Sequence, residues 1–394
     1  MANRRVFIHY AEIGLKGGNR SRFVRRLADR LREALQAAGI RCQVRRSESR
    51  LAITPPADVG LERVVDVVRR VPGVAHVLPG VAVDPAIASI EEAAVAVMQE
   101  LPPGTFKVES RRSDKQYPLD SIAISRRVAA LVHERTERVA RVRGPDHVLR
   151  IHVGAKEAWV GAARVAGPGG LPVGSARPLL GFLSGGLDSP VALWKMMRRG
   201  AEVIGVHFHN RTMQGRAVRE KIEDLCSVLA WSCGGMPLRV VPFEGCQRAI
   251  VGAVPAEFRM IVYRRAMFRI ASAIAFKENA YGYITGDSLG QVASQTSENL
   301  RSILEVADLP VYTPLIGSDK AEIMARARNV GTYDISNRPH EDCCSFMIAP
   351  HPATSSHPAQ IAELEAALDW EALVTEAISA MEAQTVAPDP ALLA

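Results

Sequence analysis

The chain has 394 residues, of which 47% are hydrophobic and 23% are charged. These proportions are typical of a folded globular protein and exclude a disordered one. No stretch has the roughly 18 consecutive apolar residues that a membrane span needs. The start of the chain also lacks the apolar core of a signal peptide. We therefore expect a cytoplasmic protein of two or three domains that does not bind a membrane.

The net charge of +7 comes from the N-terminal part of the chain. Residues 1–150 contain 27 Lys and Arg against 17 Asp and Glu, whereas the remainder has a small acidic excess. Clustered positive charge binds the phosphates of nucleic acids, because release of their counterions supplies much of the free energy. A solvated basic face without a partner is the alternative.

The first 166 residues predict two small α+β units. The first covers 1–72, has a β-α-β-β-α order and is ferredoxin-like. The second covers 73–166. The predicted strands are 4–10, 41–47, 50–54, 105–110, 148–153 and 157–163, and the predicted helices are 21–38, 61–70, 87–100 and 121–139. Asn19 or Ser21 is expected to cap the first helix, and Gly39 to end it.

A Gly- and Pro-rich stretch, residues 167–178, is predicted to link these units to a third. From residue 179 onwards, apolar runs typical of buried parallel strands alternate with long helices; the runs are LLGFL, AEVIGVHF, LRVVPF and YGYITG. This pattern predicts a doubly wound α/β domain with a parallel sheet over 179–394. We expect it to end in one or two helices and a fraying tail, TVAPDPALLA.

The motif with the clearest chemistry is SGGLDS at 184–189, between a predicted strand and a predicted helix. Glycines let the backbone approach an anion, and the helix N-terminus supplies unpaired N–H groups. Ser184 and Ser189 can add hydroxyl donors. Asp188 is unfavourable beside phosphates unless a cation such as Mg²⁺ lies between them. The alternative interpretation is a strand-to-helix turn in which Asp188 or Ser189 only caps the helix. The full motif, between a strand and a helix, favours a nucleotide site.

The motif resembles the PP-loop of the ATP pyrophosphatase superfamily, which implies cleavage of ATP between its α- and β-phosphates. The wider sequence is similar to the tRNA 4-thiouridine synthetase (tRNA sulfurtransferase) family over nearly its entire length. The segments that carry this resemblance are AEIGLKGGNR, SRRSDKQYPLDSI, GPGGLPVG, SGGLDSPVALWKMMRRGAEVIGVHF, GDSLGQVASQT and EDCCSFMIAPHPAT. The resemblance implies an N-terminal ferredoxin-like domain, a THUMP domain that binds the acceptor end of tRNA, and a PP-loop catalytic domain.

The resemblance also implies a reaction. The C4 oxygen of the uridine at position eight of tRNA would be adenylated with Mg-ATP and replaced by sulfur from a persulfide. Asp188, Cys343 and Cys344 would be catalytic, with Cys343 in the position that resolves the persulfide. No metal-ligand set is predicted. The residues expected to bind ATP are Phe182, Leu183, Ser184, Gly185, Gly186, Asp188, Ser189, His207, Phe208, Arg264, Gly286 and Gln295. Of two adjacent arginines, Arg264 is preferred over Arg265.

Several implied partners rest on the resemblance alone. The family's longer members carry a C-terminal rhodanese-like domain; this chain resembles the shorter ones, so a cysteine desulfurase or another persulfide donor is expected. The thiazole sulfur-carrier protein of thiamine synthesis is a further expected acceptor, and a homodimer is expected. An iron–sulfur cluster that uses Cys226, Cys233 or Cys246 with the pair is an alternative without a spacing signal.

The basic residues of the first two units are predicted to contact tRNA phosphates and shape. They are Arg25, Arg26, Arg30, Arg45, Arg46, Arg111, Arg112 and Lys115. Two other functions remain open at this stage. Another PP-loop ligase would explain the nucleotide motif but not the N-terminal units. An RNA-binding module with a regulatory nucleotide site would not need Asp188 or the cysteine pair.

Overall fold

The computed structural model describes residues 3–47, 50–210, 215–339 and 347–393. The chain forms two compact units, Met1–Gly170 and Leu171–Ala394. None of the described helices is both long enough and apolar enough to cross a membrane.

The first unit contains eight strands and four α-helices among its described residues. The strands are β1 (Asn3–His9), β2 (Gln43–Ser47), β3 (Arg50–Thr54), β4 (His76–Val83), β5 (Phe106–Arg112), β6 (His147–Val153), β7 (Ala158–Gly161) and β8 (Val165–Ala166). The helices are α1 (Arg20–Ala37), α2 (Leu61–Val68), α3 (Ile87–Gln99) and α4 (Ser121–Thr136). The eight strands form one sheet of order β2-β3-β1-β4-β7-β6-β5, in which β8 pairs with β4.

The strand β4 joins the two predicted α+β units into this single sheet. It pairs antiparallel with β1 and with β7. This strand was not predicted, because Pro79 and Gly80 interrupt the apolar pattern and both residues disfavour a strand interior. Gly80 is required here, since a Cβ at this position would lie 2.7 Å from Trp159 Nε1 and 2.3 Å from the Val160 carbonyl oxygen.

Alternation along the strands gives the sheet two different faces. On one face Val6, Ile8 and Val77 are fully buried, and Ile151 and Val160 pack in the core that includes α3 and α4. Each fully buried Val or Ile contributes about 1.5–3 kcal/mol through the hydrophobic effect. The main apolar core of this unit thus lies on one face of the sheet, whereas the other face combines polar side chains with a small apolar cluster of Phe7, Leu78 and Trp159.

The second unit is a doubly wound α/β domain. Its strands are β9 (Leu179–Phe182), β10 (Val203–His209), β11 (Met236–Pro242), β12 (Tyr283–Ile284), β13 (Val311–Tyr312) and β14 (Glu382–Val386). Its helices are α5 (Asp188–Met197), α6 (Arg216–Ala230), α7 (Glu244–Ala253), α8 (Arg259–Glu278), α9 (Ser297–Leu304), α10 (Lys320–Val330), α11 (Tyr333–Ser336), α12 (Pro358–Leu364) and α13 (Trp370–Ser379). The sheet order is β13-β12-β9-β10-β11-β14.

Five strands of this sheet are parallel, and apolar clusters lie on both of its faces. The structure therefore has the predicted doubly wound α/β domain with a parallel sheet, preceded by α+β structure in the first unit. In open parallel sheets, ligands bind beyond the carboxyl ends of the strands. Here the SGGLDS motif follows β9 at that edge.

The C-terminal tail was predicted to fray, and this prediction was wrong. Residues 382–386 form β14, which pairs antiparallel with β11 at the edge of the sheet. Beyond it, Ser227 Oγ donates to the Ala387 carbonyl at 2.9 Å and accepts from the Asp389 N–H at 2.7 Å. The edge of the sheet thus orders a polar segment whose composition alone favours disorder.

A candidate nucleotide site and a basic cleft

The SGGLDS motif forms a braced loop between β9 and α5. The Ser184 N–H donates to Ser189 Oγ at 2.9 Å, and the Gly186 N–H donates to Ser184 Oγ at 3.3 Å. The two hydroxyl oxygens are 3.1 Å apart. The hydroxyls, which the sequence suggested as donors to an anion, therefore also fix the shape of the loop. A loop fixed in advance loses little conformational entropy when it binds an anion.

This loop borders a cavity of about 450 Å³ at the carboxyl ends of β9, β10 and β12, which we call the loop cavity. Pockets of this size are typical of small-molecule sites. All the residues predicted to bind ATP line it: Phe182, Leu183, Ser184, Gly185, Gly186, Asp188, Ser189, His207, Phe208, Arg264, Gly286 and Gln295. The structure therefore brings together side chains that are more than 100 positions apart in the sequence.

Asp188, at the first position of α5, has two partners that are distant in the sequence. Its Oδ1 lies 2.8 Å from Lys320 Nζ, and its Oδ2 accepts from Gln291 Nε2 at 2.9 Å. Lys320 is 132 positions away, and no local pattern marks it. Because this lysine offsets the carboxylate, Asp188 can stand beside phosphates with less repulsion than its charge alone implies.

Asp287 is a buried carboxylate in the wall of the loop cavity, only 3% exposed. Its Oδ2 accepts from Arg264 Nη2 at 2.7 Å and from Thr285 Oγ1 at 2.7 Å, and its Oδ1 accepts from Gln295 Nε2 at 3.2 Å. Burial alone would raise the pKa of Asp287, but the Arg264 charge and these hydrogen bonds outweigh it and lower the pKa. Asp287 therefore holds two of the predicted ATP contacts, Arg264 and Gln295.

The adjacent arginines have different environments, which favours Arg264 as the ligand contact. Arg264 lines the loop cavity. Arg265 points elsewhere: it is 2% exposed and donates to both Glu365 oxygens, at 2.7 and 3.0 Å. A bidentate pair of this kind is a strong structural contact. Arg265 therefore fastens α8 to the residue that follows α12.

Aromatic rings form the apolar wall of the loop cavity. The Phe182 ring makes an edge contact with Phe208 at 5.8 Å and a tilted contact with Phe268 at 4.9 Å. His207 is buried, and its Nδ1 lies 2.9 Å from the Leu183 carbonyl oxygen. Such a wall offers a purine base a π-surface and an apolar surface. The Leu183 side chain is buried in the apolar core on one face of the sheet.

Gly286 was expected to let the backbone approach ATP. The structure gives an additional reason for this glycine, since a Cβ here would lie 2.9 Å from the Ser189 N and 3.0 Å from its Cα. Real Cβ atoms essentially never come that close to backbone. Gly286 thus allows the strand β12 region to pack directly against the start of α5.

The predicted catalytic thiols, Cys343 and Cys344, lie outside the described residues. Of the three other cysteines weighed for a cluster, Cys226 and Cys246 are buried; burial raises the pKa of the Cys226 thiol, and it raises the pKa of Cys246 to about 12. Thiols of this kind are poorly reactive. Over residues 3–339 and 347–393, outside the undescribed gaps, no group of three His, Cys, Asp or Glu is placed to hold a metal.

The polar face of the first unit's sheet contains a cavity of about 680 Å³, which we call the basic cleft. Its lining includes Arg50, Arg111, Arg126, Arg150, Arg164, His9, His76 and His152 around Trp159. Burial, followed by the charges of Arg50 and neighbouring histidines, lowers the pKa of His9 to about 4. Near neutral pH the five arginines outweigh the one lining carboxylate, Glu109, so the cleft is cationic, and His9 is neutral.

The structure does not gather the eight predicted RNA contacts into one patch. Arg111 lines the basic cleft, and Arg45 and Arg46 line an adjacent cavity that includes Lys156. The three arginines of α1 (Arg25, Arg26 and Arg30) line neither cavity, and Arg30 pairs with Glu33 at 2.6 Å. Arg112 donates to the carbonyls of Lys115 and Tyr117, so it braces its own loop.

Comparisons with known proteins agree with this geometry. Residues 5–77 match the model of the ThiI ferredoxin-like domain, residues 86–162 match the THUMP domain, and residues 174–370 match the thiamine biosynthesis protein (ThiI). A probable tRNA sulfurtransferase of Moorella thermoacetica is 40% identical over 386 residues, covering 98% of each chain. The chain belongs to the tRNA sulfurtransferase family. Another probable tRNA sulfurtransferase, from Thermus thermophilus, is 38% identical and covers 95% of this chain and 92% of its own.

Solved structures place this tRNA sulfurtransferase family member in the same fold. The crystal structure of a 4-thiouridine synthetase–RNA complex with bound ATP has a TM-score of 0.88 at 34% identity, covering 97% of this chain and 99% of that one. PH1313 from Pyrococcus horikoshii, with a TM-score of 0.65 and 23% identity over 83% of this chain and 99% of that one, shares the fold. The family resemblance inferred from the motifs is thus confirmed, as is the assignment as an enzyme.

Proposed function

We propose that this enzyme adenylates the C4 oxygen of the uridine at position eight of tRNA and replaces it with sulfur, giving 4-thiouridine, AMP and pyrophosphate. The observation that carries the proposal is the loop cavity, where the braced SGGLDS loop, an aromatic wall and the Arg264–Asp287 pair meet. The ATP-bound 4-thiouridine synthetase–RNA complex, with its TM-score of 0.88, supports the same use of the site.

The residues that line the loop cavity fit a nucleoside triphosphate. The loop and the N-terminus of α5 supply N–H groups for the phosphates, and Arg264 adds a guanidinium. Gln295 Oε1 is buried and has no hydrogen-bond partner among the described residues. It is therefore available to accept a hydrogen bond from an amine such as that of adenine. We assign Mg²⁺ to the phosphates, where Asp188 would hold it and it would neutralise charge that develops on pyrophosphate.

The chemistry follows from the poor leaving ability of a carbonyl oxygen. The C4 oxygen attacks the α-phosphorus and pyrophosphate leaves. The terminal sulfur of a persulfide on the sulfur donor then attacks C4, and AMP departs with the original oxygen. Cys343, in the resolving position, or Cys344 attacks the sulfur that remains attached to the donor. The thiocarbonyl is released, a disulfide forms, and an external thiol reductant restores the enzyme.

We further propose that the first unit binds tRNA through its basic cleft and the adjacent cavity. The arginines there suit phosphates, and the exposed aromatic surface is small, so recognition of RNA shape is favoured over base stacking. The persulfide donor is proposed to be a cysteine desulfurase, and the reaction to take place in the cytoplasm. Transfer to the thiazole sulfur-carrier protein is a second proposed activity, which the match to a thiamine biosynthesis family supports.

Oxygen tracing tests the adenylation step directly. tRNA carrying ¹⁸O at C4 of this uridine is incubated with the enzyme, Mg-ATP and a cysteine desulfurase with cysteine. The proposal requires ¹⁸O in the phosphate of AMP, in equal amount to the thiouridine formed. Unlabelled AMP together with thiouridine would exclude activation of this oxygen by ATP.

A further inference from the structure

Two cations of the second unit hold the described chain on either side of the predicted thiols. Lys221 on α6 is 2% exposed, and its Nζ donates to the carbonyl oxygens of Ser336 at 2.8 Å and of Arg338 at 2.7 Å. On the other side, Arg259 at the start of α8 donates through Nη1 to the Met347 carbonyl oxygen at 2.7 Å. Both contacts are charge-assisted hydrogen bonds to backbone, which are stronger than neutral ones.

Lys221 is a costly residue at this position. Burial, and then the charge of Arg338, lowers the pKa of Lys221 to about 8. A buried ammonium group that donates to carbonyls is expensive to desolvate, so an apolar residue of similar size would normally be more stabilising. The same helix also reaches this segment through Asp224, which forms an ion pair with Arg338. The polar contacts of α6 with 336–338 therefore point to a role other than stability.

Arg259 is itself fixed, so it can act as a rigid anchor. Its Nε donates to the Val254 carbonyl at 2.9 Å, and its Nη2 donates to the Val251 carbonyl at 3.1 Å. These bonds tie the guanidinium to the end of α7 and leave Nη1 directed at Met347. Because the guanidinium is planar and is held through Nε and Nη2, its Nη1 can move very little.

Both anchored stretches are in contact with the loop cavity or its motif. Ser336 Oγ donates to the Gly186 carbonyl of the SGGLDS loop at 3.3 Å. On the other side, the Ala349 N–H donates to the Ala256 carbonyl at 3.3 Å, and Pro352 lines the loop cavity. The anchors thus fix two points of the chain beside the place proposed for ATP.

Chain length limits how far the thiols can lie from these points. Cys343 follows Arg338 by five residues, and Cys344 precedes Met347 by three. Only a few residues of covalent chain therefore separate each cysteine from a residue whose carbonyl is held by Lys221 or Arg259. Fixed end points therefore raise the effective concentration of the thiols near the loop cavity.

We propose that Lys221 and Arg259 are positioning residues for sulfur transfer: they hold the two ends of the cysteine-bearing stretch beside the nucleotide site. They act through the backbone and touch no reacting atom. This inference rests on the proposed function, because it assigns the thiols to the second half of that reaction.

The test separates the two halves of the reaction in Lys221→Met and Arg259→Gln. We expect the single-turnover release of pyrophosphate with tRNA to stay within about threefold of wild type, because the ATP contacts are intact. Thiouridine formation with a cysteine desulfurase should fall at least tenfold, since small misplacements cost about 10²-fold in rate. The matched control is Arg216→Met, on the same helix as Lys221 but with its side chain 91% exposed; it should match wild type in both assays.

Amide hydrogen exchange gives a readout that does not depend on the reaction. Exchange should rise at least tenfold over 333–339 in Lys221→Met and over 347–353 in Arg259→Gln, with 179–190 unchanged. The inference is overturned if both variants thiolate within threefold of wild type, if pyrophosphate release falls as much as thiolation, or if exchange in both stretches is unchanged. If wild-type enzyme makes no thiouridine, the proposed function fails, and exchange alone then decides on the anchors.

Discussion

The Arg264–Asp287 pair makes the sharpest energetic prediction, through the substitution Asp287→Asn. The asparagine keeps the shape and one acceptor but leaves the Arg264 guanidinium without its carboxylate, in a site where Asp287 is 3% exposed. Breaking a buried pair by removing one partner costs about 3–5 kcal/mol. The retained amide acceptor offsets part of this, so we expect a loss of about 3 kcal/mol in the stability of the second unit.

This loss has a thermal signature. For a domain of this size, 1 kcal/mol corresponds to about 2–4 °C, so Tm should fall by about 6–12 °C near neutral pH. A lowered carboxyl pKa gives stability that is present above the unfolded-state value and is lost as pH falls through the folded-state value. The difference between wild type and Asp287→Asn should therefore shrink below about pH 4.

Calorimetry or thermal circular dichroism across pH 3–8, with and without ATP, measures both effects. ATP should narrow the gap at neutral pH, because its phosphates supply the negative charge that Arg264 has lost. The control is Glu298→Gln, an exposed neutralising change in the same unit, for which Tm should move by less than about 2 °C. If Asp287→Asn lowers Tm by less than 2 °C at neutral pH, the buried Arg264–Asp287 pair does not stabilise the second unit as reasoned here.

Three further predictions concern other contacts. Lys320→Met, which removes the partner of Asp188, should lower pyrophosphate release by about 10²-fold, the usual effect of losing one electrostatic contact in an active site. Gly286→Ala should raise the KM for ATP at least tenfold in steady-state assays, because its Cβ would displace Ser189 and with it the loop. His9→Gln should flatten the acid-induced loss of stability between about pH 6.5 and 4, because a lowered histidine pKa makes the native state lose stability as pH falls through that window; thermal melts across this range check it.

Matched variants control these three measurements. Lys277→Met changes an exposed lysine in the last turn of α8, and Gly252→Ala adds a Cβ where nothing lies within 4 Å. Both should retain activity. His357→Gln changes an exposed histidine whose Nδ1 accepts from the Ala359 N–H. This substitution should leave the acid-induced loss of stability unaltered. If Lys320→Met releases pyrophosphate at the wild-type rate, its contact with Asp188 has no part in catalysis.

Much of the fold follows from local signals in the sequence. The amphipathic stripe of α1 and the buried runs of β10 and β11 have clear periodicities, and the structure has these elements within a few residues of their predicted bounds. The SGGLDS motif located the site, because its loop chemistry is confined to six consecutive residues. Such features need no knowledge of distant parts of the chain.

The missed features depend on tertiary contacts. β4 contains Pro79 and Gly80 and is a strand only because β1 and β7 flank it. The polar β14 is ordered by pairing with β11. Lys320, at the start of α10, and Asp287, in the loop after β12, complete the site from far along the chain. Asp287 in TGDSLGQ has the local sequence of an ordinary turn residue. Local propensity cannot predict contacts of this kind, which are the ones that supply the site's electrostatics.

The central claim is ATP-dependent thiolation of a tRNA uridine, and nucleoside mass spectrometry tests it most directly. Unmodified tRNA is incubated with the enzyme, Mg-ATP and a cysteine desulfurase with cysteine, and position eight is analysed. We predict an oxygen-to-sulfur mass shift on that uridine that requires ATP and is lost in Asp188→Ala. Thiouridine that forms without ATP, or that persists at the wild-type level in Asp188→Ala, would contradict the account.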